Sequence, residues 1–199
     1  MKNTFPAFYF GPIEYFADIV KSEKIDLDVC ENFQKQTFRN RCYILGANGK
    51  LPLTIPMNHK SSRNMKDIQP SYDHNWQKEH FKSLTSAYLS SPYFEYYEDE
   101  IAKIYETKEK YLLDLNIKTI EFILAKIKSD VEISKTTSYQ IIDEPFDFRN
   151  KYSTKKESEI IFPEYTQVFD DKFGFTPGLG ILDILFSMGP STSIYLKNL

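Results

Sequence analysis

The sequence predicts an α/β protein built as a single compact domain, with a mixed sheet, a βαβ opening, a β-hairpin and a helical second half. Three observations lead to this fold class. Strand, helix and strand patterns follow one another within the first 30 residues, an Asn-Gly pair separates two apolar runs, and helical periodicity dominates residues 73–128. The chain has 199 residues, of which 41% are hydrophobic and 16% aromatic, so it can bury a core without disulfides or a structural metal.

The opening of the chain predicts the βαβ unit. Residues 2–9 are rich in aromatic side chains and are expected to form a first strand, in which Pro6 requires an edge or an initial position. A turn at Gly11-Pro12 precedes a helix, because proline is tolerated in the first helical turn and the apolar residues that follow have helical spacing. Residues 25–29 alternate apolar and acidic side chains, which is typical of a second strand.

The next unit is predicted to be a β-hairpin over residues 38–56. Two apolar runs, 42–45 and 51–55, flank the turn sequence Gly46-Ala47-Asn48-Gly49. Residues 57–66 are polar and basic and are expected to form a loop before a short strand near Ile68.

Three helices and an apolar tail are predicted for the rest of the chain. Asp73 is expected to cap a helix whose buried face carries Trp76 and His80, and further helices are predicted at 92–107 and 110–128. A strand follows at 131–134. The segment 136–158 is polar and linker-like, and the tail helix at 181–186 is expected to return to the main core before Gly189-Pro190 stops it.

Charge and composition restrict the partners and the location. The 25 Lys and Arg against 28 Asp and Glu leave a net charge of -3, which argues against a nucleic-acid partner held by phosphate neutralisation. No apolar run approaches the length of a membrane span, so no integral membrane contact is expected. Cys30 and Cys42 are too few for a disulfide framework and have no Cys-x-x-Cys spacing, so they are predicted to be reduced thiols. Together with the absence of a signal-peptide pattern, this favours the cytoplasm.

Familiar catalytic and cofactor motifs are missing from the sequence. It has no Walker A motif, no Gly-x-Gly-x-x-Gly turn, no His-Glu-x-x-His and no Gly-x-Ser-x-Gly. Its three histidines, His59, His74 and His80, include no pair spaced by four residues, so the sequence predicts neither a metal site nor a cofactor. His80 is expected to be a packed core residue.

The most informative segment is residues 31–42, where amide, cationic and aromatic side chains precede the hairpin. Arg39 and Arg41 are two of only four arginines, and in an extended backbone they would project from one face, with Asn40 on the other. Two guanidinium groups on one face suit a phosphate or carboxylate, and Gln34 and Lys35 would add donors. The alternatives are a solvated hairpin edge or salt bridges to the acidic run at 95–100. Arg63, in the loop, is not expected to contribute.

A second candidate is the turn at 8–12, at the carboxyl end of the first strand, where open α/β sheets bind ligands. An aromatic core is the competing interpretation of that turn. Tyr9, Tyr15 and Trp76 are predicted to form an aromatic wall for a sugar ring, and His74 is the accessible titratable group. The complete set of predicted binding residues is Tyr9, Tyr15, Asn32, Gln34, Lys35, Arg39, Asn40, Arg41, His74 and Trp76.

Several of these segments resemble the WbqC-like protein family. The resemblance is carried by Tyr9-Phe10-Gly11-Pro12-Ile13-Glu14-Tyr15-Phe16, by the block 32–42, by the strand 51–56, by segments within 75–94, and by the tail residues Phe169, Gly174-Phe175, Pro177 and 181–186. It implies a bacterial protein of surface-polysaccharide or O-antigen biosynthesis, and some members are labelled aminoacyl (glycine) transferases. The His-Gln pair of many members is absent beside Gly11-Pro12, so the resemblance assigns no catalytic residue.

Three functional hypotheses follow. The first is a transferase that moves an acyl or aminoacyl group to an anionic activated sugar, and the second is a non-catalytic protein that binds a nucleotide-sugar or a partner in the same pathway. The third is a homodimer seam formed by the aromatic residues 93–97. In the first two, the ligand is a small anionic or sugar-linked molecule.

Overall fold

The computed structural model describes residues 2–58 and 63–199, which form two small sheets and a set of helices. The strands are β1 (Asn3–Pro6), β2 (Lys24–Asp28), β3 (Arg41–Gly46), β4 (Gly49–Thr54) and β5 (Glu132–Lys135). The helices are α1 (Ile13–Val20), α2 (Trp76–Tyr88), α3 (Phe94–Glu106), α4 (Leu112–Lys126), α5 (Asp170–Phe173), α6 (Ile181–Met188) and α7 (Thr192–Asn198), with 3-10 turns at Met65–Asp67 and Gly189–Ser191. The predicted α/β class is confirmed.

The βαβ opening is present, and its strands belong to a three-stranded parallel sheet. The strand order is β1-β2-β5, with β2 in the centre. Pro6 ends β1 at one edge of the sheet, where its missing N–H is tolerated. The hairpin forms a separate antiparallel sheet, so the parallel and antiparallel pairs are not joined into one sheet.

The β3–β4 hairpin pairs Arg41 with Thr54 at its open end and Gly46 with Gly49 at the turn. Side-chain alternation buries Cys42 and Ile44 in the core. Arg41 and Tyr43 therefore lie on the opposite face of β3. This face, which also carries Thr54 and Lys50 of β4, is called the outward face of the hairpin.

Two local predictions were wrong in detail. No strand forms near Ile68. The structure has a 3-10 turn at Met65–Asp67 and an isolated bridge between Met57 and Pro70. Helix α2 is capped by Asn75, whose side chain accepts a hydrogen bond from the Lys78 N–H, while the predicted cap, Asp73, accepts one from the Ser71 hydroxyl. The predicted loop 57–66 is only partly covered, because His59 and the rest of 59–62 lie outside the described residues.

One hydrophobic cluster joins the sheet, the hairpin and the helices. It includes Ile120 and Leu124 of α4 together with Ile184 and Phe186 of α6, so the tail helix packs on the same core as the central helices. Within the described residues, no helix has both the length and the apolar character needed to cross a membrane.

The tail is fixed to the opening turn and the hairpin by a close backbone approach at Gly180. The Gly180 N–H donates to the Tyr43 carbonyl at 2.7 Å, and the Ile181 N–H donates to the Gly11 carbonyl at 3.0 Å. A Cβ atom at Gly180 would lie 2.9 Å from the Tyr43 carbonyl oxygen, so a larger residue cannot occupy this position without a backbone shift. The start of α1, the hairpin and the tail are thereby held together.

A buried ion-pair network holds the segment between β2 and β3. The Arg39 Nε donates to one oxygen of Glu31 at 2.7 Å and Nη2 donates to the other at 2.5 Å, and both side chains are almost fully buried. Arg149, from the segment 136–158, bonds to Asp28 at the end of β2 and to Asp147. Its backbone carbonyl accepts a further bond from Arg39. The segment predicted to be linker-like therefore supplies a buried arginine to this network.

A second buried polar cluster lies beneath the hairpin. The Tyr9 hydroxyl lies 3.0 Å from Nδ1 of His80 and 2.5 Å from the Tyr105 hydroxyl. The His80 ring also hydrogen-bonds to the backbone of Thr54, and burial lowers the pKa of His80 to about 4. His80 is thus the packed core residue that the sequence predicted.

We expect Arg39→Ala to lower the free energy of unfolding by about 3 to 5 kcal/mol, because it leaves the Glu31 carboxylate buried without its partner. Urea denaturation would measure the change. The control is Lys24→Ala, which removes an exposed ion pair to Glu132 and should leave the free energy of unfolding nearly unchanged. Equal, small losses in both variants would contradict a fold-holding role for Arg39.

We expect acid to destabilise the protein through His80. The folded-state pKa of His80, about 4, lies below the ordinary 6.5, so its contribution is complete above pH 6.5 and is lost as the pH falls through 4. The loss should approach about 3 kcal/mol. Urea denaturation between pH 7.5 and 4 should show a smaller loss in His80→Gln than in the wild type.

The matched control for the acid dependence is His74→Gln. His74 is exposed, so its replacement should leave the dependence of stability on pH as it is in the wild type. Parallel profiles for the wild type and His80→Gln would show that the buried histidine does not carry the effect.

Candidate functional site

A basic cleft lies at the open end of the hairpin. It has a volume of about 820 Å³ and is bordered by Phe33, Lys35 and Gln36, the ends of β3 and β4, residues 55–58, Arg63 and Ile68. Lys35, Arg41 and Arg63 line it, and no carboxylate is present among the described lining residues. Phe33, Ile55 and Met57 provide apolar wall. We call this feature the basic cleft.

Arg41 is the residue most directly available to a ligand in the basic cleft. It is the first residue of β3 and lies on the outward face of the hairpin, opposite Thr54. Its Nε atom is buried and has no hydrogen-bond partner, and its guanidinium forms no ion pair with a residue that the structure describes. A buried charged donor without an acceptor is unfavourable, so an anion bound in the cleft would satisfy it.

Asn40 places a second unsatisfied atom at the same point. Its side-chain Nδ2 donates to the Ile55 carbonyl at 3.0 Å, and its backbone carbonyl accepts from the Ile55 N–H at 2.8 Å. These two bonds fix the amide, and its Oδ1 is buried without a partner. The cleft therefore offers a hydrogen-bond acceptor next to its cations.

A shallow groove continues the basic cleft along Lys35 and Gln36 towards residues 149–155. It has a volume of about 260 Å³. Gln34 donates to the Asn150 side chain at 3.0 Å, and the Thr154 hydroxyl donates to the Gln36 carbonyl at 2.6 Å. These bonds hold the two walls of the groove together.

The arginine pair is not arranged as the sequence predicted. Residues 39–40 lie in a turn before β3 instead of an extended strand, so Arg39 and Arg41 do not share a face. The donors of Arg39 are taken by Glu31, Thr37 and the Arg149 carbonyl, and its guanidinium lies over the Phe8 ring at 5.5 Å. The salt bridge forms with Glu31, not with the acidic run at 95–100.

The predicted aromatic wall does not form. Tyr9 and Tyr15 have no exposed surface, and the Tyr15 hydroxyl donates to the Pro6 carbonyl at 2.8 Å. Trp76 is also buried, with its indole N–H on the Ser71 carbonyl at 3.0 Å. The turn at 8–12 is thus aromatic core, which was the competing interpretation.

The remaining predicted residues divide into two groups. Lys35, Asn40 and Arg41 line the basic cleft, and Gln34 lines the groove beside it. Asn32, which forms an isolated bridge with Asn64, and His74, before α2, are exposed and line neither feature.

The prediction that Arg63 does not contribute to the site is not supported, because Arg63 lines the basic cleft. The signal available in the sequence is that arginine is rare, with only four in the chain.

The basic cleft is chemically suited to bind an anion and has few groups for proton transfer. Its described lining contains no histidine, cysteine, aspartate or glutamate. Cys30 and Cys42 are free thiols elsewhere, and burial raises the pKa of the Cys42 thiol. Among the described parts of the chain, no group of three or more His, Cys, Asp or Glu side chains could hold a metal ion.

Comparison with protein-family models matches residues 7–159 to the WbqC-like protein family. The matched range covers most of the chain and includes all the residues that line the basic cleft. No curated protein and no solved structure matches the chain.

Proposed function

The chain belongs to the WbqC-like protein family, and on this premise we propose that it acts in surface-polysaccharide or O-antigen biosynthesis by binding an anionic, sugar-linked small molecule in the basic cleft. The observation that carries the proposal is the unpartnered, buried Nε of Arg41 beside Lys35 and Arg63, in a cleft whose described lining has no carboxylate. The family supports the pathway, and the cleft supports the ligand class.

Phosphate and carboxylate groups fit this charge pattern. A guanidinium donates paired, charge-assisted hydrogen bonds, and each such bond contributes about 1.5 to 3 kcal/mol. Lys35 and Arg63 add positive charge from two other segments of the lining. A volume of about 820 Å³ is within the range of small-molecule sites.

The unsatisfied Oδ1 of Asn40 favours an anion that also carries a donor group. An ionised carboxylate alone would satisfy Arg41 but would offer no donor to an amide oxygen. A hydroxyl close to the charged group, as in a sugar phosphate, would supply the missing donor to Asn40. This pairing of donor and acceptor is the reason to prefer a sugar-linked anion.

The transferase and the binding-protein hypotheses differ in their need for a base. In acyl transfer, the acceptor amine or hydroxyl loses a proton as its bond to the carbonyl carbon forms and the leaving group departs. The described lining of the basic cleft has no residue suited to take that proton. The described lining of the cleft therefore favours recognition of a ligand over proton transfer to or from it.

Location and assembly are part of the same proposal. A cytoplasmic protein is consistent with the two free thiols.

In the predicted homodimer seam, Phe94 and Tyr97 are buried in the core, while Tyr96 is 77% exposed. A dimer through this segment would rest on Tyr93 and Tyr96, and it stays a prediction.

We expect Arg41→Gln and Arg63→Gln each to weaken the binding of glucose 1-phosphate and UDP-glucose by roughly ten- to a hundredfold, because each removes charge-assisted hydrogen bonds. Isothermal titration calorimetry at low salt would measure the affinities. The melting temperature should change little, since neither side chain forms an ion pair with a described residue.

The control is Lys82→Gln, which removes the same charge from the exposed side of α2. It should leave both affinities unchanged. If neither ligand binds the wild type, or if both bind the wild type and the two arginine variants equally well, the basic cleft is not the binding site.

A further inference from the structure

A second cavity lies farther along the outward face of the hairpin, towards its turn. It has a volume of about 370 Å³ and is bordered by the first turn of α1, the hairpin, residues 153–162 and residues 176–178. Glu14 and Glu157 contribute carboxyl groups, and Tyr43 and Lys50 come from the outward face of the hairpin. We call this feature the acid cavity.

Glu14 has an unsatisfied acceptor in the acid cavity. Its Oε2 atom is buried and has no hydrogen-bond partner. Burial raises the pKa of the Glu14 carboxyl, although its own backbone N–H and the nearby Lys50 and Lys151 oppose the shift. The start of α1 cannot turn away easily, because the Ile13 N–H is bonded to the Leu179 carbonyl. The missing partner is a hydrogen-bond donor.

The other lining groups indicate the class of donor. The Lys50 ammonium is fixed between the Gly178 carbonyl, at 2.7 Å, and the Tyr43 ring, at 4.9 Å. Lys155 and Lys156 also line the cavity, so with Lys50 its cations outnumber its two carboxyl groups and disfavour a cationic amine, while the carboxyl groups of Glu14 and Glu157 disfavour an isolated anion. Apolar wall and hydroxyl groups complete the lining: Phe38, Phe162, Ser153, Thr154 and Ser158. A neutral sugar ring matches this lining, because its hydroxyls can bond to the polar groups and its C–H surface can pack against the apolar wall.

The acid cavity and the basic cleft adjoin. Arg41 of the cleft and Tyr43 of the cavity lie two residues apart on one face of β3, which corresponds to about 7 Å along the strand. The groove described above also connects them, because Lys35 borders the groove and the cleft, while Thr154 borders the groove and the cavity. One small ligand can therefore reach both features.

We propose that the basic cleft and the acid cavity bind the two parts of one ligand, with the anionic group at Arg41 and a neutral monosaccharide ring in the acid cavity, where Glu14 accepts a hydrogen bond from a ring hydroxyl. This inference rests on the proposed function for the anionic part and adds a second, separate site for the sugar. Glu14 thereby becomes the residue that distinguishes a sugar phosphate from phosphate alone.

The test compares inorganic phosphate with glucose 1-phosphate, N-acetylglucosamine 1-phosphate and UDP-glucose by calorimetry. The wild type should bind at least one sugar-linked anion about tenfold or more tightly than phosphate. Glu14→Ala should remove that difference and leave phosphate binding unchanged, whereas Arg41→Gln should weaken both. Glu14→Gln keeps an acceptor oxygen and should retain more of the difference than Glu14→Ala.

The matched control is Glu79→Ala, which removes an exposed carboxylate from α2 and should change neither affinity. If Arg41→Gln weakens phosphate binding while Glu14→Ala leaves every sugar-linked anion unaffected, the second site is wrong and the anion site stands. Equal affinity of the wild type for phosphate and all three sugar-linked anions would also show that the second site is wrong. If no anion binds the wild type, both proposals fail together.

Discussion

The buried ion pair between Glu31 and Arg39 determines the arrangement of the chain before the hairpin. Two opposite charges that are both almost fully buried are tolerated only when they are paired and hydrogen-bonded, and this pair uses both oxygens of Glu31. Arg39 is therefore turned inward, and its carbonyl accepts a bond from the buried Asn116. Because this turn ends at the first residue of β3, Arg41 emerges on the outward face of the hairpin without an ion-pair partner among the described residues.

The same network closes the place where an open α/β sheet ordinarily binds its ligand. Ligands of such sheets lie beyond the carboxyl ends of the parallel strands. Here Asp28, at the end of β2, is paired with Arg149, and the carbonyls of Pro6 and Ala7 at the end of β1 accept bonds from Tyr15 and Asn116. The space is filled by protein side chains. The basic cleft and the acid cavity are instead built against the outward face of the hairpin.

Local patterns in the sequence predicted the elements, and long-range pairing decided the site. The hairpin and the face of α4 depend on alternation or spacing within one segment, so both were found. The partner of Arg39 lies eight residues earlier in the chain, and Arg63 reaches the cleft from beyond the hairpin. Neither relation has a local pattern. The prediction of Tyr9 as a binding residue was wrong for the same reason, since the sequence of an aromatic turn does not show whether the turn faces a ligand or the core.

Unsatisfied polar atoms are the strongest physical link between the two cavities. Buried polar groups are normally hydrogen-bonded, and a folded chain tolerates exceptions at a cost in stability. Within the described chain, five buried side-chain atoms lack a partner, and those of Asn40, Arg41 and Glu14 belong to residues that line the cleft or the cavity. Asn40 and Arg41 are adjacent, and Glu14 lines its cavity together with Tyr43 of the same hairpin. Unpaired donor and acceptor atoms on one side of one hairpin are complementary to a ligand that carries both a charge and hydroxyl groups. Folding alone does not require such unpaired atoms, and exceptions of this kind are expected at functional sites.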